Sequence, residues 1–167
     1  MRPTRAYVGL GSNLEDPIRQ LLTAFNELAA LPGTRLVARS RLYGSTPVGP
    51  AGQPDYVNAV AALDTTLSPD ELLDALFAIE QAHARVRAER WGPRTLDLDL
   101  LLHGDAVVAT GRLTLPHPRL RERGFVLVPL HEIAPGLVLP DGTPLSELVR
   151  ACPPGGLWPL DEPAPGP

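Results

Sequence analysis

RVRAERWGPRTLDLDLLL, residues 85 to 102, carries the clearest secondary-structure signal in the chain. After Thr95, apolar and polar residues alternate through Leu96, Asp97, Leu98, Asp99 and Leu100, which is the period of a strand. Side chains leave a strand on alternate faces, so Asp97 and Asp99 share one face and the leucines share the other. Carboxylates whose Cα atoms lie about 7 Å apart repel unless a cation sits between them. Mg2+ suits the pair, because it is bound through one or two carboxylates while water and phosphate complete its shell. Arg85, Arg87, Arg90 and Arg94 lead into this strand through a Trp-Gly-Pro turn. Guanidinium groups match phosphate oxygens bidentately and keep their charge, so the combination points to a Mg-polyphosphate site. The same alternation also describes a half-solvated edge strand, which needs neither the arginines nor the turn.

Upstream, Thr4 to Leu10 reads as a first strand ending in a Gly-Leu-Gly-Ser-Asn turn. That turn is either a tight strand-to-helix connection or a ligand-facing loop. Asp16 is placed to cap a helix with Pro17 at its first position, and Leu21, Leu22, Phe25 and Leu28 form its apolar stripe to about Ala30. A second strand is expected over Thr34 to Tyr43, then a loop rich in Gly and Pro over residues 44 to 54, then a third strand from Tyr56 to Leu63. Ser68-Pro69-Asp70-Glu71 is a capping box that opens a second helix, with Leu72, Leu73, Leu76 and Ile79 inward and Glu80 and His83 near its end. His83 is expected to be a partly exposed helical residue rather than a ligand.

The order strand, helix, strand, strand, helix, strand predicts an α+β, ferredoxin-like βαββαβ antiparallel sheet with helices on one face and a C-terminal extension. The leucines of the Asp-Leu strand should face the helices, and Asp97 and Asp99 the open side. Further on, a short strand pair is expected within Ala106 to Leu115. A helix interrupted at Pro129 should follow over Arg119 to Glu132, and a last short helix over Pro144 to Ala151. From Pro153 the chain is dominated by Pro and Gly and is expected to be irregular and dispensable. The division is therefore one domain over 1–152 and a tail over 153–167.

A length of 167 residues, with 44% apolar and 20% charged content, belongs to a globular chain able to bury a core. The net charge of −4 argues against a general nucleic-acid binder. Eight arginines nevertheless fall between Arg85 and Arg123 against five acidic residues, a local basic field suited to a small anionic ligand. Cys152 is the single cysteine, so an intrachain disulfide is excluded and a cytoplasmic location is expected. No apolar run reaches membrane-spanning length.

Three blocks, TPVGPAGQPDYVNAV (46 to 60), RWGPRTLDLDLLL (90 to 102) and LPHPRLRERGFVLVPLHEIAP (115 to 135), resemble the signatures of the 6-hydroxymethyl-7,8-dihydropterin pyrophosphokinase family. The resemblance covers residues 4 to 150 in order. It implies transfer of the terminal pyrophosphoryl group of ATP to the hydroxymethyl oxygen of the pterin, with release of AMP, in folate biosynthesis. It implies two Mg2+ ions on Asp97 and Asp99, and ATP contacts from Glu80, Arg85, Arg87, Trp91, Arg94, Leu100, His117 and Arg123. Arg85 and Arg94 join the two carboxylates as the catalytic set. The pterin would lie between Tyr56 and Phe125, with Asn58 bonding its edge, Ser45, Thr46 and Val48 lining the pocket and Trp91 closing over it. By their residue types alone Tyr56 and Phe125 would be assigned to the core. Phe77 is excluded because relatives carry a polar residue there. The loops at 44 to 54 and 87 to 94 are expected to order over nucleotide.

The implied partners are small molecules, ATP and a hydroxymethyl-dihydropterin, acting on a monomer without nucleic acid or membrane. Two other readings compete. A different Mg-dependent nucleotidyl or phosphoryl transferase would release pyrophosphate rather than AMP. A ferredoxin-like RNA-binding module would use exposed aromatics on an open sheet, although carboxylates on that face would repel phosphates.

Overall fold

Strand β1, Thr4–Ser12, runs through the interior of a six-stranded sheet, because its residues from Ala6 to Leu10 are apolar or glycine and suit a strand covered on both faces. The computed structural model describes residues 2–13, 16–46, 55–85, 96–152 and 155–161. The chain continues through α1 (Pro17–Ala29), β2 (Thr34–Arg39), β3 (Tyr43–Ser45), β4 (Tyr56–Thr65), α2 (Pro69–Arg85) and β5 (Asp97–His103). A small hairpin, β6 (Val108–Ala109) and β7 (Thr114–Leu115), precedes a 3-10 turn at Leu120–Glu122, then α3 (Gly124–Ile133), α4 (Leu145–Ala151) and β8 (Leu157–Pro159). The sheet order is β5-β1-β4-β3-β8, with β2 also paired to β4, and every pairing is antiparallel.

Helices α1 and α2 cover one face. Leu21, Ala24, Phe25 and Leu28 of α1 and Leu72, Leu76 and Ile79 of α2 pack on Val8, Leu10, Leu63, Leu98 and Leu100. Each fully buried leucine of this layer contributes about 1.5 to 3 kcal/mol by leaving water. The capping box forms as its residues dictate: the Glu71 amide donates to Ser68 Oγ at 3.2 Å and the Ser68 amide donates to Glu71 Oε1 at 2.9 Å. Asp16 behaves differently from expectation. It precedes α1 in the left-handed conformation (φ 59) with no side-chain capping bond to the helix amides, and its carboxylate lies 3.7 Å from Nε of Arg19 in the first turn instead.

The other face is not open, which corrects the one-sided arrangement. Val126, Leu127 and Leu130 of α3 and Leu145 of α4 pack on Tyr7, Val60, Ala62, Leu101 and Leu102. A bulge makes this possible: the β1–β5 register slips between Tyr7 and Val8, so Leu101 and Leu102 both turn to the second face while Leu100 stays on the first. The part of that face carrying Gly9, Gly11, Ser45, Tyr56, Asn58, Asp97 and Asp99 forms a cavity wall.

Three further expectations change. The strand expected over residues 34 to 43 is two strands, since Ser40 Oγ accepts the Val60 amide at 3.0 Å in place of a main-chain carbonyl and the chain leaves the ladder there. The helix expected from Arg119 breaks at Arg123, whose backbone is extended, and runs on through Pro129, which is buried. The C-terminal segment, expected to be irregular, supplies strand β8 at the sheet edge.

Candidate active site

The pleat arranges the site in rows. Asp97 pairs with Gly11, Gly11 pairs with Asn58 on its other side, and Asn58 pairs with Tyr43; one row along, Asp99 pairs with Gly9 and Gly9 with Val60. Because Gly9 and Gly11 carry no side chains, the floor between the carboxylates and Asn58 is bare main chain. A Cβ on Gly11 would stand 3.4 Å from Asn58 Oδ1, and one on Gly9 3.5 Å from the Leu101 side chain. The result is a cavity of about 520 Å3, within the range of small-molecule sites.

Asp97 and Asp99 line this cavity on the face opposite Leu98 and Leu100, as the alternation requires. The Asp99 side chain is 42% exposed, and His117 Nε2 lies 3.9 Å from its Oδ1. The Arg119 amide donates to His117 Nδ1 at 3.2 Å, so the neutral ring carries its proton on Nε2, toward Asp99. Burial pushes the His117 imidazole below its usual value, the Arg123 and Arg119 guanidiniums push the same way, and Asp99 opposes them. The shift favours the neutral ring, which in the tautomer set by the Arg119 amide is a donor at Nε2.

The aromatic end of the cavity contains Tyr56 on β4 and Phe125 on α3. The Arg123 guanidinium lies 5.4 Å from the centre of the Phe125 ring. Asn58 Nδ2 donates to Ser45 Oγ at 2.7 Å, both side chains being buried, and Thr46 lines the same wall. The structure thus brings Ser45, Thr46, Tyr56, Asn58, Asp97, Asp99, Arg123 and Phe125 to one cavity, with His117 beside Asp99.

Other expected residues fall elsewhere. Leu100 is buried under α1 and α2 in the core. Glu80 Oε2 accepts the Leu98 amide at 2.7 Å, tying α2 to the strand between the two aspartates. It also lines a second cavity of about 350 Å3 with Phe77, Leu98 and Arg112. Arg85 ends α2, and its side chain lies outside the described residues, as do Val48, Arg87, Arg90, Trp91 and Arg94 together with most of both expected loops. His83 is buried rather than partly exposed: its ring bonds Gln20 and, at 2.5 Å, Glu27, joining α2 to α1.

Sequence reasoning missed Gly9, Arg119, Glu122 and Gly124 as cavity residues, whereas Gly11, read as part of a turn that could face a ligand, lines the cavity from within β1. Gly9 was detectable, being two residues from Gly11 on a strand whose alternate residues face one way. Arg119 and Glu122 reach the cavity through the 3-10 turn, which no periodicity announces.

Among the described residues no group of three or more His, Cys, Asp and Glu side chains is arranged for a metal. Two adjacent carboxylates in a solvent-accessible cavity nevertheless fit Mg2+, which keeps several waters and takes phosphate oxygens as further ligands. Carboxylates, guanidiniums and aromatic rings in one cavity of a mixed α/β domain have the features of a group-transfer enzyme working on a charged co-substrate. The family profile for 7,8-dihydro-6-hydroxymethylpterin-pyrophosphokinase (HPPK) matches residues 7–135, and the chain belongs to this family.

The chain is 57% identical over 149 residues to the 2-amino-4-hydroxy-6-hydroxymethyldihydropteridine pyrophosphokinase of Pseudomonas aeruginosa, covering 89% of this chain and 92% of that protein. It is 52% identical over 145 residues to the Haemophilus influenzae protein of the same name, covering 87% and 91%. In fold it is similar to the crystal structure of wild-type Plasmodium falciparum HPPK-DHPS, with a TM-score of 0.73 over 90% of this chain at 13% identity. It spans 45% of that longer chain.

Proposed function

We propose that this chain transfers the pyrophosphoryl group of ATP to the hydroxymethyl group of 6-hydroxymethyl-7,8-dihydropterin, releasing AMP, as a step of folate biosynthesis. The family membership and the identity to pyrophosphokinases along most of their length support it. The observation that carries it in this molecule is that one cavity holds the Asp97–Asp99 pair on β5 and the Asn58 and Tyr56 side of β4, with the glycine floor of β1 between them.

The pterin lies between Tyr56 and Phe125, where stacking adds about 0.5 to 1.5 kcal/mol per ring pair beyond burial. Asn58, oriented by Ser45, reads its polar edge with an amide that both donates and accepts. Asp97 and Asp99 hold Mg2+, two ions in this reading, which when bound offsets the charge of the polyphosphate chain. Arg123 and His117 Nε2–H donate to phosphate oxygens; the family resemblance assigns further phosphate contacts to Arg85, Arg87 and Arg94 and pocket roles to Trp91 and Val48. The hydroxymethyl oxygen attacks the β-phosphorus in line while its proton passes to solvent water, the bond to the oxygen shared with the α-phosphorus breaks, and AMP leaves with that electron pair. With Nδ1 occupied by the Arg119 amide, His117 turns Nε2 toward Asp99 and is placed to donate to a phosphate oxygen.

The sheet order supports a ferredoxin-like arrangement from β1 to β5, extended by α3, α4 and β8. The protein acts as a cytoplasmic monomer on small molecules; no helix among the described residues is long and apolar enough to cross a membrane. Coverage of the second sheet face by α3 and α4 removes the flat platform an RNA-binding module would use. The test is to mix protein, Mg2+, ATP and hydroxymethyl-dihydropterin and identify the nucleotide product. AMP formed only with the pterin present is expected; release of pyrophosphate would assign nucleotidyl transfer instead.

A further inference from the structure

We propose that strand β8 positions the pterin-side wall of the cavity, with Trp158 locking β3 from its opposite face so that Ser45 and Thr46 are held in register. This rests on the substrate assignment above.

Strand β3 is three residues long and supplies Ser45 to the cavity wall, with Thr46 immediately after it. Its inner side pairs with β4; its outer side would be a bare edge without Leu157–Pro159, which pairs Ser45 with Leu157, Gly44 with Trp158 and Tyr43 with Pro159. The ladder continues past both ends: the Thr46 amide donates to the Gly156 carbonyl at 3.1 Å and the Leu160 amide donates to the Leu42 carbonyl at 2.9 Å. Leu160 packs on the core beneath α1 and α2, which anchors the far end.

The indole of Trp158 occupies the space a side chain at position 44 would need. A Cβ on Gly44 would stand 2.4 Å from Trp158 Nε1 and 2.6 Å from Cε2. Gly44 has no positive φ, so glycine is required there by the indole and not by the backbone. Gly156 does have one, at +71, and its own Cβ would stand 3.1 Å from Thr46 Oγ1, so the strap also approaches Thr46 closely at the other end.

The wall depends on this register. Ser45 Oγ accepts from Asn58 Nδ2, which fixes which edge of the amide faces the pterin. Strand β3 is tied at its start by Glu132, whose carboxylate accepts Tyr43 Oη at 2.5 Å and the Arg41 amide at 2.9 Å. Releasing β8 therefore frees the Ser45–Thr46 end and leaves Asp97 and Asp99, on β5 at the other side of the sheet, in place. Trp158 is a positioning residue for one substrate only.

The test uses full-length Trp158→Ala, Gly156→Val, Gly44→Ala and the Gly44→Ala/Trp158→Ala double variant, with KM for each substrate, kcat, melting temperature and hydrogen exchange at the Thr46 amide. Trp158→Ala and Gly156→Val should each raise KM for the pterin about tenfold, leave KM for ATP within about twofold and speed Thr46 exchange. Gly44→Ala should do the same in the native background and add nothing once Trp158 is alanine, because the two then no longer collide. A lower melting temperature with both KM values unchanged, or an equal rise in both, would overturn the positioning role, as would undiminished Thr46 protection. A native protein that forms no AMP overturns the substrate assignment itself, and the positioning role with it; active native protein with unresponsive variants overturns the positioning role alone.

Discussion

Asp97 and Asn58 occupy the same row of the sheet, one strand to either side of Gly11. Two strand spacings separate their Cα atoms by about 9.5 Å. A metal-bound phosphate chain and a pterin ring can therefore lie side by side only if nothing projects from the strand between. Gly11→Val should preserve the strand, since β-branched residues favour it, while its methyl groups press toward Asn58 Oδ1. KM for the pterin should rise by about tenfold or more, with the melting temperature nearly unchanged, in steady-state assays paired with thermal denaturation.

The proposed function gives the paired aspartates one shared task, so each should be needed. Asp97→Asn and Asp99→Asn should each lower kcat by about a thousandfold, removing several kcal/mol of charge stabilisation, and the double variant should be little worse than either alone. Chelation of Mg2+ from the native protein should abolish turnover and readdition should restore it. Circular dichroism should show all variants folded.

Arg119 lines the cavity beside His117 and was not singled out by its sequence context. In the proposed reaction its guanidinium would donate to the polyphosphate that shares this cavity. Arg119→Ala should cost about tenfold in kcat/KM for ATP with the KM for the pterin unchanged, while Arg119→Lys restores part of the loss.

The cap of α2 gives a prediction independent of function. Ser68 Oγ accepts the Glu71 amide, so Ser68→Ala should destabilise the protein by about 1 kcal/mol in urea denaturation and leave kcat unchanged.

Acid stability should respond to Asp141, whose carboxyl is held down at about 2 by the Thr143 amide, the Thr143 side chain and the Arg121 guanidinium. A carboxyl depressed in the folded state adds stability above its ordinary value of 3.8 and loses it as pH falls through about 2. Asp141→Asn should lower the melting temperature at neutral pH and flatten its decline across that acid window.

Local chemistry alone determined the elements whose signals are complete within a few residues. The Asp-Leu alternation fixed which face β5 gives the carboxylates, the capping box fixed the start of α2, and the three motif blocks fixed the family. Tertiary structure decided what depends on residues distant in sequence. Ser40 splits the second strand only because Val60 is there to donate to its hydroxyl. His83 is buried because α1 brings Gln20 and Glu27 against it. α3 and α4 pack on the second sheet face where a bulge turns Leu102 to join Leu101 there, and β8 forms because Gly44 leaves room for an indole from 114 residues further along. Periodicity reports which way a side chain points; what it meets there is set by chain segments the local pattern does not contain.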